Sequence, residues 1–220
     1  MATTVEPTSA PLSTSETGSE TFLTPQRIRL LGIGAAVVAV VGGGIWFAKV
    51  SGERKEAAAA TALEQARGTA EQGNLAEAVT MFEQVSTTYA GTAAANEAVI
   101  GMAQARLVAG QSELAVATLT DFLGRNPGAT FASPAQGLLG TAYENTGRYA
   151  EAKAAYEKAA ELATVDYLKA TLLLDAARAA RLAKDSAGAR TIYEQIIATY
   201  GETAARTEAE VRLGELTAAQ

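Results

Sequence analysis

The sequence predicts an all-α protein, in which a single transmembrane helix is followed by an α-solenoid of four helical hairpins plus a C-terminal capping helix. Three observations carry that expectation. Alanine supplies 50 of the 220 residues while aromatics make up 6%, a composition that favours helices at close backbone approach over sheets. Residues 30–48 (LLGIGAAVVAVVGGGIWFA) contain no charge. Beyond residue 50 the chain repeats itself with a period of 37 residues, and self-similarity at such a period is the mark of a stacked-repeat architecture.

The elements follow in chain order. Residues 1–26 are mostly Thr, Ser, Pro and Glu, with Phe22 and Leu23 the one large apolar pair, so they read as a disordered tail. Residues 27–50 read as a membrane helix. Its uncharged stretch, bounded by Arg27 and Arg29 and by Lys49, is about 28 Å long at a rise of ~1.5 Å per residue, close to the hydrocarbon thickness. Trp46 and Phe47 fall where aromatic rings suit the interface. A cleaved signal peptide is the competing reading, but the apolar run is long for one, and Val50-Ser51-Gly52 is a poor cleavage site. The positive charges on the two flanks do not decide orientation. Within the span Gly32, Ala36, Ala39 and Gly43 line one helix face, which either packs on another membrane helix or reflects a span rich in small residues.

Several chemistries are excluded by composition. The chain has no histidine and no cysteine, so a Ser-His-Asp triad, a thiol nucleophile, a disulfide framework and a zinc site built on imidazole or thiolate are all impossible. The net charge is -6 and no Lys/Arg-rich run occurs, which argues against nucleic acid as a partner. Glu151, Glu157 and Glu161 stand at ordinary exposed-helix spacings with Lys153 and Lys158 between them, not as a paired acid and base. Gly42-Gly43-Gly44 lies inside the apolar span and lacks the Lys that a phosphate loop needs. No catalytic residue, cofactor or metal is expected, and the chain is not read as an enzyme.

Residues 51–220 carry the repeat. Aligned at 37-residue steps, Ala78, Ala115, Ala152 and Ala189 form one column, Phe82, Leu119, Tyr156 and Tyr193 a second, and Val85, Phe122, Ala159 and Ile196 a third. A turn column holds Gly73, Gly110, Gly147 and then Lys184; a small-residue column holds Ala66, Ala103, Gly140, Ala177 and Gly214. Each unit reads as two helices joined at the turn column, with Asn74, Ser112 and Ser186 as N-caps and Ser133-Pro134 as a cap followed by Pro at the first helical position. The small column is where first and second helices cross. Alanine is expected to be nearly acceptable at Gly140, and a large side chain is not. Since the period is 37, the connections between hairpins are expected to be long.

Leu139-Gly140, Tyr143, Gly147, Ala152, Tyr156 and Ala159 carry the spacing of a tetratricopeptide repeat, which this unit resembles closely and the other three more loosely. The whole arrangement, with Tyr-x-x-Thr-x-Ala links at Tyr89, Thr92, Ala94 and at Tyr200, Thr203, Ala205, resembles the YfgM-like bacterial proteins, ancillary subunits of the Sec translocon. That resemblance implies a bacterial inner-membrane protein with a cytoplasmic N-terminus and periplasmic repeats. Its implied partners are other proteins, either membrane-complex subunits or secreted polypeptides, besides the lipid bilayer that the span crosses.

First helices of such repeats line an inner groove, which places Leu63, Arg67, Glu97, Ile100, Gln104, Thr141, Glu144, Leu174, Arg178 and Arg181 as candidate contacts. Arg178 and Arg181 either hold a partner carboxylate or form a solvated face beside Asp175 and Asp185. Two non-catalytic functions remain open: a membrane-anchored adaptor or chaperone-like scaffold at the translocon, and a structural or assembly subunit of a larger membrane-embedded complex.

Overall fold

A computed structural model describes the backbone of residues 25–218, and the side chains of 51–218 together with Val41, Trp46, Lys49 and Val50. The chain divides into two units, Met1–Val50 and Ser51–Gln220. Most of the expected tail lies outside the described residues, and so do the side chains of Gly32, Ala36, Ala39 and Gly43. Among the described residues no helix is long and apolar enough to cross a membrane, the stretch 30–48 falling mainly on side chains outside that set. In the backbone, helix α1 spans Pro25–Glu71.

From residue 51 the second unit is all-α. After α1 come α2 (Leu75–Thr88), α3 (Ala93–Val108), α4 (Ser112–Gly124), α5 (Ala129–Asn145), α6 (Tyr149–Leu162), α7 (Asp166–Leu182), α8 (Ser186–Thr199) and α9 (Ala204–Ala218). The end of α1 pairs with α2, α3 with α4, α5 with α6 and α7 with α8, and α9 closes the stack. The three apolar columns account for the core. Ala78, Ala115, Ala152 and Ala189 are all fully buried, Phe82, Leu119, Tyr156 and Tyr193 are exposed by 2% at most, and Val85, Phe122, Ala159 and Ile196 are buried beneath them.

Each hairpin turns on a residue in the left-handed region. Gly73, Gly110 and Gly147 have φ of 84°, 74° and 73°, and Lys184 takes the same position at 63°. Two bonds close every turn in the same way. Gly147 N–H donates to the Glu144 carbonyl at 3.0 Å and Arg148 N–H to Tyr143 at 2.8 Å; Lys184 and Asp185 repeat this onto Arg181 and Ala180 at 3.0 and 2.9 Å. This is the Schellman arrangement, which satisfies carbonyls left over at a helix end.

Three local expectations are corrected. Residues 89–92, 125–128, 163–165 and 200–203 connect the hairpins, so these links are short; the period is taken up instead by first helices of 16 or 17 residues in α3, α5 and α7. Ser133-Pro134 does not start a helix but lies inside α5. Pro134 and Thr130 are both exposed, so the carbonyl that loses its partner faces solvent. The buried Ser133 hydroxyl donates to the Ala159 carbonyl of α6 at 2.9 Å. Ser112 and Ser186 are the first residues of their helices, and the cap of α8 is Asp185, which accepts from Gly188 N–H at 2.9 Å. Asn74 holds the cap position of α2 without a side-chain bond.

At the first Tyr-x-x-Thr link the threonine caps α3, and at the second it makes the same bond back to the tyrosine. Thr92 Oγ1 accepts from Ala95 N–H at 3.0 Å and donates to the Tyr89 carbonyl at 2.8 Å, and Thr203 Oγ1 donates to Tyr200 at 2.7 Å. Glu56, reaching from α1, accepts from the Ala93 and Ala94 N–H groups at 3.1 Å each. A carboxylate thus sits on the positive end of the α3 dipole.

Two outcomes follow for stability. Lys184→Gly relieves a left-handed side chain and is expected to stabilise the chain by about 1 kcal/mol, read as a higher urea midpoint by circular dichroism. At Gly140 a Cβ would stand 2.7–2.8 Å from the Cδ1, Cε1 and Cζ of the Tyr156 ring, so even alanine overpacks the crossing. Gly140→Ala is expected to lower stability by about 1–3 kcal/mol, against the near neutrality expected when a helix-propensity gain of about 1 kcal/mol offsets one methyl's crowding, and a melt matching the parent would show that the ring yields.

Candidate functional site

The first helices α1, α3, α5, α7 and α9 share a face, and its polar side chains are bonded mainly to one another. Arg67 of α1 donates to Glu97 of α3 at 2.5 Å and to Glu64 at 2.6 Å. Arg178 of α7 reaches both carboxylate oxygens of Glu144 on α5, at 3.0 and 3.1 Å, and Asp175 at 2.7 Å. Arg181 of α7 lies 3.8 Å from Glu215 of α9, which Arg212 also holds at 3.2 Å. The α3–α5 step differs in kind. There Ala103, Leu139 and Ala142 are buried with Ile100, Leu107 and Leu138 against them.

The middle of this face is tied into the core. Tyr156 is 2% exposed, yet its hydroxyl donates to Glu144 Oε2 at 3.1 Å and stands 3.1 Å from Thr141 Oγ1. Burial pushes the Tyr156 hydroxyl well above the ordinary phenol range, so it stays a donor. The hydrogen bond with Glu144 raises the Arg178 guanidinium above its usual value. The Asp175 carboxyl is also raised, by burial first and by the charges of Glu144 and Glu208, with Arg178 opposing.

Two clefts open on the face. One, of ≈ 540 Å³, lies between α1, α2 and α3, with Arg67, Glu97, Ile100, Gly101 and Gln104 around it and Leu75 and Val108 towards its turn end. The other, of ≈ 400 Å³, lies between α7 and α9 and is lined by Leu174, Asp175, Arg178, Arg181, Glu208 and Arg212. The ten residues proposed from sequence therefore divide. Arg67, Glu97, Ile100 and Gln104 meet at the first cleft, and Leu174, Arg178 and Arg181 at the second. Thr141 and Glu144 are committed to Tyr156 between them. Leu63 is a correction: at 3% exposed it packs with Phe82 and Met102 in the core. In this hairpin the position three residues before Ala66 is turned into the core, whereas its equivalents Ile100 and Leu174 line the clefts. Arg178 belongs to an exposed charged face beside Asp175, as one of the two sequence readings has it, with Glu144 added; Asp185 is not part of that face, since it caps α8 and receives Lys153 at 3.1 Å.

Sequence reasoning missed Glu56, Lys55 and Glu215. Lys55 Nζ donates to the Ala90 carbonyl at 2.8 Å. No periodic signal marks such residues, since each meets a partner one repeat away.

Asp175 makes stability depend on pH with an unusual sign. A carboxyl raised on folding holds its proton more tightly folded than unfolded, so its contribution worsens as pH rises through about 4 and the raised folded value, and is absent below both. Asp175→Asn is expected to raise the urea midpoint at neutral pH and to leave it unchanged near pH ~3, where both forms are neutral. A loss at neutral pH would mean that its pair with Arg178 outweighs burial.

Comparison with known proteins agrees with this architecture. Family models described as tetratricopeptide repeat match residues 133–166 and 171–203. A solved chain from Podosopora anserina, described as a putative kinesin light chain with nearly identical TPR-like repeats, superposes at a TM-score of 0.57 with 22% identity, over 71% of this chain and 83% of that one. A point variant of the same chain superposes equally. The likeness is one of fold. No curated protein sequence matches the chain.

Proposed function

We propose that this chain is a membrane-anchored scaffold, an adaptor or chaperone-like protein that holds other proteins on the first-helix face of its repeats. Tetratricopeptide repeats are protein–protein interaction modules and characteristically non-catalytic. The observation that carries the reading is the ≈ 540 Å³ cleft where Arg67, Glu97, Ile100 and Gln104 converge, of a size that accepts protruding side chains. The uncharged stretch of residues 30–48 supports the anchor. The YfgM-like resemblance supports a bacterial inner membrane, a cytoplasmic N-terminus, periplasmic repeats and a place at the Sec translocon. A second reading, a fixed structural or assembly subunit of a larger membrane-embedded complex such as an energy-transducing one, is favoured by the self-paired arginines of α7, which leave that end of the face satisfied without a ligand.

A reporter enzyme active only in the periplasm, fused after Gln220, is expected to be active, with the fusion resisting alkaline extraction from membranes. A photo-crosslinking side chain at Ile100 is expected to give protein adducts that one at Thr191, exposed on α8, does not. Adducts of many sizes indicate an adaptor and one stoichiometric adduct a fixed subunit. An extractable fusion removes the anchor, and equal labelling at both positions removes the face.

A further inference from the structure

The first cleft carries more than its volume. Its floor is apolar: Gly101 presents backbone to the Phe82 ring, where a Cβ would come within 2.8 Å of Cε1 and Cζ, and Ile100 stands beside it. Val108, at the turn end of the cleft, is 76% exposed, the most exposed large apolar residue among those described in this unit. The charge around that floor has one sign in excess. Arg67 is shared by two carboxylates, Glu64 and Glu97, and a third carboxylate, Glu71, lines the same cleft. Among the residues lining the cleft, one guanidinium therefore stands with two carboxylates, Glu71 and Glu97, and it is shared with Glu64 beyond the lining.

Backbone electrostatics point the same way. α1 ends at Glu71 with no basic residue in its last turn, so a negative side chain stands on the negative end of a helix dipole. This is the arrangement that a cation relieves. Since Arg67 is already engaged, a cation from outside the chain has an unfilled place at the turn end, within one cleft of the apolar floor.

We propose that the cleft between α1, α2 and α3 takes an extended segment of a partner polypeptide in which a large apolar side chain is flanked by lysine or arginine. The apolar group sits over Ile100 and Gly101, and the cation sits beside Glu71 at the turn end. This deepens the scaffold reading and rests on it, naming the chemistry of the segment held. Three other occupants are set against it: an acidic segment meets excess negative charge, a second copy of this chain brings a net charge of -6 of its own, and a lipid tail has no use for the carboxylates.

The test uses the full chain in mild detergent with three fluorescent nonapeptides, identical except at the centre: Phe flanked by two lysines, Phe flanked by two glutamates, and Ala flanked by two lysines. The Phe–lysine peptide is expected to bind at least about tenfold more tightly than either of the others, and to weaken as salt rises. Gln104→Trp, an exposed position on the cleft wall, should abolish that binding by filling the site. Glu71→Lys should reverse the order of the lysine and glutamate peptides, with far-UV circular dichroism unchanged in both variants. Equal affinity for the lysine and glutamate peptides overturns the proposal, as does binding that Gln104→Trp leaves intact, which would place the peptide on the micelle or elsewhere on the chain. Crosslinks at Ile100 without this charge preference would keep the scaffold and remove the basic-apolar segment. Peptide binding in a chain that is extractable from membranes would keep the segment and remove the anchor.

Discussion

At Gly140 the backbone of α5 lies against the flat of the Tyr156 ring with no room for a methyl group between them, and that close approach sets the terms for the rest of the repeat domain. A first helix that must come so near its second can carry only Gly or Ala at the crossing, and Ala66, Ala103 and Ala177 are fully buried at the equivalent positions. Close approach also explains how a chain so rich in alanine builds a core. Each alanine removes little apolar area from water, but dispersion contacts multiply when backbones approach, because the interior is filled by main chain rather than by long side chains. Large apolar side chains close the remaining space, and every hairpin has one at the same second-helix place, namely Phe82, Leu119, Tyr156 or Tyr193.

Because side-chain burial per hairpin is modest, satisfied backbone polar groups matter more than they would in a Leu-rich bundle. The turns show how consistently this is managed. Four hairpins use the same left-handed residue and the same pair of bonds, even where the residue is Lys184 and the geometry is unfavourable for it. The α3 start is similar: Thr92 takes one amide and Glu56 two others, so the first turn has no unmet donor at Ala93, Ala94 or Ala95. In the Glu56 case a carboxylate one repeat upstream completes the cap, so neighbouring hairpins are joined by hydrogen bonds as well as by apolar contact.

What was legible in the sequence was whatever repeats. The 37-residue columns located the turns, the buried second-helix stripe and the small-residue crossing, because each is demanded again in every hairpin. What was not legible was whatever occurs once. Ser-Pro reads as a helix start by local rules, yet α5 begins at Ala129, because burying the Ser133 hydroxyl on the Ala159 carbonyl and packing Phe131 against the core outweigh an exposed Pro134 inside the helix. Leu63 was read as surface and is core, since in this hairpin the position three residues before the crossing is turned inward. At Gly140 the crossing was legible, but one methyl's crowding was set about equal to the gain in helix propensity; the ring distance shows the crowding to be larger. The cleft residues were named correctly as neighbours of the face, but their pairing, which decides what the face can hold, required coordinates.

That pairing separates the two ends of the face in a way that bears on function. In the middle, Glu144 bonds Arg178 on the surface and Tyr156 in the core, so altering that polar contact also disturbs the helix crossing beneath it; such a site is expensive to vary. At α9 the stack closes differently. Where α7 buries Ala170, Leu173, Ala177 and Ala180, the corresponding α9 positions are Thr207, Glu210, Gly214 and Thr217, all exposed, a polar outer face that water can satisfy without another helix. The α1–α3 cleft has neither restriction. Gln104, Glu71 and Val108 are exposed around an apolar floor, and they contribute no bond to the crossing beneath. A repeat protein can change what it binds without changing how it folds only where surface and crossing are uncoupled in this way, and on this face the uncoupled place is the first cleft.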